Sequence, residues 1–302
     1  MSPRRAPHPL LAPGPLAPLA LALALAAPGC RRAADGPTAL AEPARAPAVV
    51  QADAAVAEGD RAFLERGDPG RVVAALAAYG RAAGLRPGDP AIELRIARAE
   101  AFRGRAAADP GRAREGWEAS ARAAERALRT LAPGWAKAID AGEDPAAAAA
   151  RVDAGGAEAL YWLALGTMRA AQATGYAAVL AVKDAALGMM TRAAELDERV
   201  DAAGPHRALG AWRAALPVAA GGGAAASRAH FERARALAPD DLLGPVAEAE
   251  TYAVLVQDEA LFDRLLADVL AADPARDPGR APENRIARRS AQELLERKAR
   301  LF

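Results

Sequence analysis

A single cysteine, Cys30, stands in 302 residues, and aromatics make up only 4% of the chain. One cysteine excludes an intramolecular disulfide framework and any Cys-rich zinc site. Charge of either sign is not in excess: 39 Lys and Arg face 38 Asp and Glu, which removes the basic footprint that nucleic-acid binding requires. DNA and RNA are therefore not expected partners. Valine and isoleucine are sparse and no alternating strand pattern occurs, so an extended sheet has little to build on.

What the chain has instead is alanine, leucine, arginine and glutamate, the strongest helix formers, with proline and glycine falling mostly between apolar-periodic segments. The composition predicts an all-α fold. Such a chain, once its N-terminal segment is set aside, is long enough for one large domain or an extended repeat array.

The N-terminal segment reads differently. "MSPRRAPHP" is basic, and an apolar run from Leu10 to Ala27 follows it, the order of a secretory signal peptide. Pro13, Pro15 and Pro18 interrupt the run, leaving about ten residues for an unbroken helix against the roughly 20 that span a bilayer. "Ala27-Pro28-Gly29-Cys30" resembles a bacterial lipobox, with Ala27 where leucine is usual. That resemblance implies lipidation at Cys30; the bland reading is an ordinary signal peptide, cleaved elsewhere, that happens to contain a cysteine. Arg31 stands where aspartate retains lipoproteins at the inner membrane, which favours the outer membrane, facing the periplasm. The expected organisation is a lipoprotein signal at 1–29, the lipidated cysteine and a flexible Pro/Ala tether at 30–50, and a helical domain at 51–302.

Within that domain a spacing recurs. Ala75, Tyr79, Ala82 and Pro87 stand four, three and five residues apart, as in the second helix and terminator of a tetratricopeptide (TPR) unit. Ser227, Phe231, Ala234 and Pro239 repeat the intervals, as do Ala186, Met190 and Ala193, with Glu198 in the proline's place. First-helix signals precede the latter two: Trp162, Leu165 and Gly166 form W-x2-L-G, and Leu209-Gly210 repeats its end with His206 in the tryptophan's place. Two weaker units lie at 91–133 and 243–274, an irregular link at 133–156, and a capping helix from Pro282. The expectation is four to five helix-turn-helix units plus that cap.

No enzyme constellation stands out. His8, His206 and His230 supply no base for a nucleophile and are read as leader or packing residues. Gly221–Gly223 lacks the Lys-Ser or Lys-Thr of a phosphate loop and reads as a helix–helix turn. Asp240-Asp241 reads as solvated helix-end charge. Tyr161, Trp162, Tyr176, Trp212 and Tyr252 gather in the central units and are the candidate lining of an apolar ligand cleft, set against core packing as the alternative role. Neither a metal nor a cofactor is expected.

From about residue 117 the wording resembles one TPR-containing family, the TatT component of tripartite ATP-independent periplasmic (TRAP) transporters. The segments that carry the resemblance are "ALYWLALG", "RAAELDE", "GPHRALGAW", "LPVAAGGG", "HFERARALAPD", "YAVLVQDEALFDRLLADVLAADP" and "NRIARRSAQELL", in that order. It implies a non-enzymatic periplasmic lipoprotein, trimeric, clefted or perforated near its centre. It further implies docking of a solute-binding protein and a hydrophobic or amphipathic organic acid as ligand. The competing expectation is a TPR lipoprotein scaffold that assembles an envelope complex and never handles a solute; a periplasmic enzyme is a remote third.

Overall fold

The computed structural model describes residues 42–302, in which thirteen α-helices follow one another with no strand among the described residues. Cys30, the signal segment and most of the tether lie outside the described residues. The helices are α1 (Glu42–Leu64), α2 (Pro69–Leu85), α3 (Pro90–Ala106), α4 (Pro110–Leu131), α5 (Pro133–Asp140), α6 (Pro145–Ala148) and α7 (Ala157–Thr174). They continue as α8 (Tyr176–Leu196), α9 (Val200–Ala215), α10 (Ala224–Leu237), α11 (Leu243–Glu248), α12 (Glu259–Ala271) and α13 (Ala281–Glu296). Helix α1 begins nine residues before the expected domain start at 51, because the Pro/Ala-rich stretch from Glu42 carries helix formers as well as prolines.

Asp-Pro dipeptides start α2, α3, α4 and α6. In each, the proline occupies the first turn, where its missing N–H costs nothing, and the aspartate caps the helix. Asp68 accepts from Gly70 N at 2.8 Å, Asp89 from Ala91 N at 2.9 Å, and Asp144 from Ala146 N at 2.9 Å.

Consecutive helices pack as hairpins, α1 with α2, α3 with α4, α7 with α8 and α9 with α10. Tyr79 and Phe231 are buried at these seams; Tyr79 lies on Gly59 and Phe231 on Gly210, where an added Cβ would stand 2.9 Å from the ring. Ala75, Ala82, Ala186, Met190, Ala193, Leu165, Leu209 and Ala234 are likewise buried, while Pro87 and Pro239 follow the ends of α2 and α10. The middle of the array departs from simple hairpin stacking. Gly166 of α7 meets the backbone of α4, at Trp117 O and Ala121 N, rather than its hairpin partner α8. The insertion 133–156, with α5 and α6, packs Trp135, Ala148 and Val152 into the main core beside α8.

The last helix returns to the first. Arg66, just past α1, pairs with Glu283 of α13 at 2.6 Å, both side chains 6% exposed, and Val72, Phe102 and Ile286 form a small apolar cluster across the same seam. Asn284 fixes α13 from the other side: its Oδ1 accepts from Leu242 N at 3.1 Å. The array is thus closed rather than open-ended, and α3, α7, α9, α11 and α13 surround its centre.

Candidate functional site: two central cavities and a buried ion cluster

Two cavities lie inside the closed array. The first, about 520 Å³, is lined by Arg98 and Phe102 of α3, Glu158 and Trp162 of α7, Val200–Ala202 at the start of α9, and Glu283 of α13. The second, about 280 Å³, is lined by Gly104 of α3, Trp117 of α4, Leu165 and Arg169 of α7, Arg207 and Ala208 of α9, Val246 of α11, Ser290 of α13 and Arg297 just past it. In α3, α7, α9 and α13, the residues facing the first cavity begin nearer the helix N-terminus and those facing the second extend nearer its C-terminus, the two sets meeting at Gly104–Arg105 and Tyr161–Trp162. Four inner helices therefore run in the same direction past both.

Between the cavities stands a cluster of ions. Asp201 receives Arg280 at 2.6 Å, Arg207 at 2.9 Å and Arg105 at 3.3 Å, and the Tyr161 hydroxyl donates to it at 2.7 Å. Asp241 receives the other arms of Arg207 and Arg280, at 2.9 and 2.6 Å. Arg105 lines both cavities, Tyr161 and Arg207 face the second, and Asp201 and Arg280 face the first. The cluster is the partition.

Its electrostatics follow from its contents. Burial alone would raise the Asp201 carboxyl, but Arg105, Arg280 and Arg207, with the Tyr161 hydrogen bond, outweigh it and hold the group far below the ordinary carboxylate range. Burial and the neighbouring Asp201 push Tyr161 upward, so its hydroxyl stays protonated and donating. Asp241, expected as solvated helix-end charge, is instead 6% exposed: it follows the end of α10 but turns inward to complete the cluster.

The backbone at this point is unusual. Asp201, Ala202 and Ala203 have φ of 48°, 54° and 57°, three successive left-handed residues. Each alanine costs roughly 1–2 kcal/mol in that region. Arg207 holds the turn by donating to the carbonyls of Asp201 and Ala202 at 3.3 and 3.1 Å. Strain of this kind concentrates at functional positions.

The five sequence-nominated aromatics do not share one cleft. Tyr161 and Trp162 touch, ring centroids 4.7 Å apart, and face opposite cavities; the Trp162 indole donates to Glu158 at 3.1 Å. Trp212 is packed in the main core. Tyr176, the first residue of α8 after Gly175, is 78% exposed, and Tyr252 is half-buried in the π-helical turn that continues α11. Arg105, Arg169, Asp201, Arg207, Asp241 and Arg280 were not nominated as site residues by sequence. A usable signal existed: Arg207 lies midway between Gly204 and Gly210, three residues from each, an arginine on the small-residue face of a helix.

With this geometry established, comparison with known sequence families is decisive. A family model described as TRAP transporter T-component matches residues 92–302. The chain belongs to the TRAP transporter T-component family. The match spans α3 to the C-terminus, and so includes every residue of the ion cluster; the T-component is an accessory part of a transporter, which places this chain's work at the bacterial envelope. A comparison with curated proteins returns no match. Among the described residues of this T-component, no helix is long and apolar enough to cross a membrane, and no group of three or more His, Cys, Asp or Glu is arranged to hold a metal ion.

The two C-terminal histidines, read separately as packing residues, meet across α9 and α10, with His206 Nδ1 and His230 Nδ1 2.9 Å apart. Glu198 lies 3.4 Å from His206 Nε2, which assigns the proton there and leaves His206 Nδ1 to accept from His230 Nδ1–H. Burial lowers both imidazoles; the His206 neighbour and Arg213 lower His230 further, to about 4, while Glu198 opposes and Arg233 reinforces the shift at His206. A folded-state pKa below the unfolded value of about 6.5 means that the unfolded chain takes up protons first, so stability falls as pH drops from about 6.5 to 4. Urea midpoints measured across that range should show this loss, and His230→Gln should flatten it. An unchanged slope in the variant would refute the assignment.

Proposed function

We propose that this T-component is a non-enzymatic periplasmic lipoprotein, anchored through Cys30 to the outer membrane, that docks a TRAP solute-binding protein. It binds or passes a small amphipathic organic acid through its centre and works as a homotrimer. The observation that carries the solute-handling part is the pair of cavities meeting at one strained, ion-bound partition inside a transporter component. Supporting it is the chemistry of the second cavity. Trp117, Leu165, Ala208 and Val246 provide apolar wall, and the solvent-exposed Arg169 guanidinium, which shares the cavity lining with Glu250 and Glu293, has no carboxylate within 4.0 Å among the described residues. An assembly scaffold would need no such interior. Lipidation, docking and the trimer rest on the lipobox and on the family resemblance.

Native mass spectrometry of the protein truncated at Cys30 and co-expressed with the products of neighbouring genes tests the reading. The expected result is a complex containing a solute-binding protein, together with a retained small organic mass. A chain that remains alone beside an abundant co-expressed TRAP solute-binding protein would overturn it.

A further inference from the structure

A third recess lies outside the central cavities, on the outer side of the seam where the array closes. It holds about 620 Å³, the size of a site for a small organic ligand. Val72, Phe102 and Ile286 form its apolar floor, and Pro69 and Pro282 flank it. Phe102 also lines the first central cavity and Ile286 the second, so the floor backs onto both central cavities.

Around this floor stand arginines. Arg66 and Arg103 are committed to Glu283 and Glu100, each at 2.6 Å. Arg112, Arg285 and Arg289 have no carboxylate within 4.0 Å among the described residues, and Glu115 is the one acidic side chain lining the recess that stands free. Arg285 and Arg289 are four residues apart on α13 and share a face, while Arg112 approaches from the first turn of α4.

We propose that this groove binds an amphipathic organic anion, its apolar tail on Val72, Phe102 and Ile286 and its anionic head between Arg285, Arg289 and Arg112. Three guanidiniums line the recess without a carboxylate partner, and an added carboxylate supplies one while accepting in fork geometry. The apolar floor disfavours a fully hydrated anion, and the cationic rim disfavours a neutral or cationic amphiphile. A protein partner would need roughly 800 Å² of matching surface on each side, whereas the recess has the volume of a small molecule. The proposal deepens the ligand reading given above and rests on it for physiological meaning; the binding itself is measurable on the protein alone.

The test is calorimetric titration with decanoate, with decyltrimethylammonium and acetate as contrasts. The expected result is a decanoate-binding step that Arg285→Ala/Arg289→Ala weakens about tenfold or more, the scale of losing a charge-assisted hydrogen bond, with thermal stability unchanged because both side chains are exposed. Arg228→Ala, an exposed arginine of α10 that lines none of these cavities, should leave that step intact. Equal binding by the double variant, loss in Arg228→Ala, or equal binding of decyltrimethylammonium would each overturn the proposal. So would a double variant that keeps decanoate but loses the solute-binding protein, which would assign the groove to protein docking. Failure of the co-expression experiment with the decanoate step intact would sink the transport reading and leave the groove standing.

Discussion

Asp201→Asn is expected to lower stability by about 3–5 kcal/mol, the cost of removing one partner from a buried ion network. For a domain of this size that is a fall in melting temperature of roughly 6–20 °C. The substituted amide would keep the shape of the side chain, and asparagine tolerates a left-handed backbone as readily as aspartate does. The substitution therefore leaves the φ of 48° as it was and removes the charge. What it exposes is the imbalance around it. Arg105, Arg207 and Arg280 would face Asp241 alone, and Tyr161 would lose its anionic acceptor. Thermal denaturation at neutral pH reads the effect; a melting temperature within a degree or two of the parent would mean that water already screens the cluster.

The same carboxylate makes a pH prediction part of that result. Its folded-state pKa is depressed, so its contribution is fully present above the unfolded carboxylate value and is lost as pH falls toward the folded value. That loss lies on the acid side of about pH 4, below the window in which the histidine pair acts. Asp201→Asn should flatten the acid limb and leave the slope between pH 6.5 and 4 to His206 and His230. The separation of the two limbs distinguishes partition from histidine pair.

Sequence periodicity revealed the helices and turns because each follows local chemistry: Ala- and Leu-rich runs, Asp144-Pro145 before α6, Gly221–Gly223 between α9 and α10, and the apolar period of α13. The central site was opaque for a different reason. Its residues come from positions as distant as 105, 201, 241 and 280, and each looks alone like a solvated charge at a helix end. Only the tertiary packing that brings the end of α3, the start of α9 and the segment before α13 together turns them toward one point. The aromatics misled similarly: in an alanine-rich chain they are conspicuous, yet Trp212 fills the core and Tyr176 projects outward, while the interior is set chiefly by arginine and aspartate.

Gly116→Val should cost about 3 kcal/mol, at the upper end of overpacking penalties, because the atoms in its way are backbone. A Cβ at 116 would stand 2.6 Å from Gly104 N and 2.7 Å from Gly104 Cα, so no rotamer change in α3 makes room. Nor can α4 withdraw: on another face it abuts Gly166 of α7, whose own Cβ would meet Trp117 O at 2.7 Å and Ala121 N at 2.9 Å. Helix α4 is held between two glycine contacts, and any added volume separates α3 from α7. Gly80→Ala in α2 is the contrast, since nothing lies within 4 Å of its added methyl, and it should gain up to about 1 kcal/mol of helix propensity. Urea unfolding of both variants decides the matter, and a Gly116→Val protein as stable as the parent would show that α3 and α4 are not in backbone contact. The consequence reaches the partition. Arg105 follows Gly104 directly and reaches Asp201 at 3.3 Å, so displacing α3 also loosens that ion pair. The costs of Gly116→Val and Asp201→Asn should therefore sum to more than the cost of the double variant, a coupling that independent sites would lack.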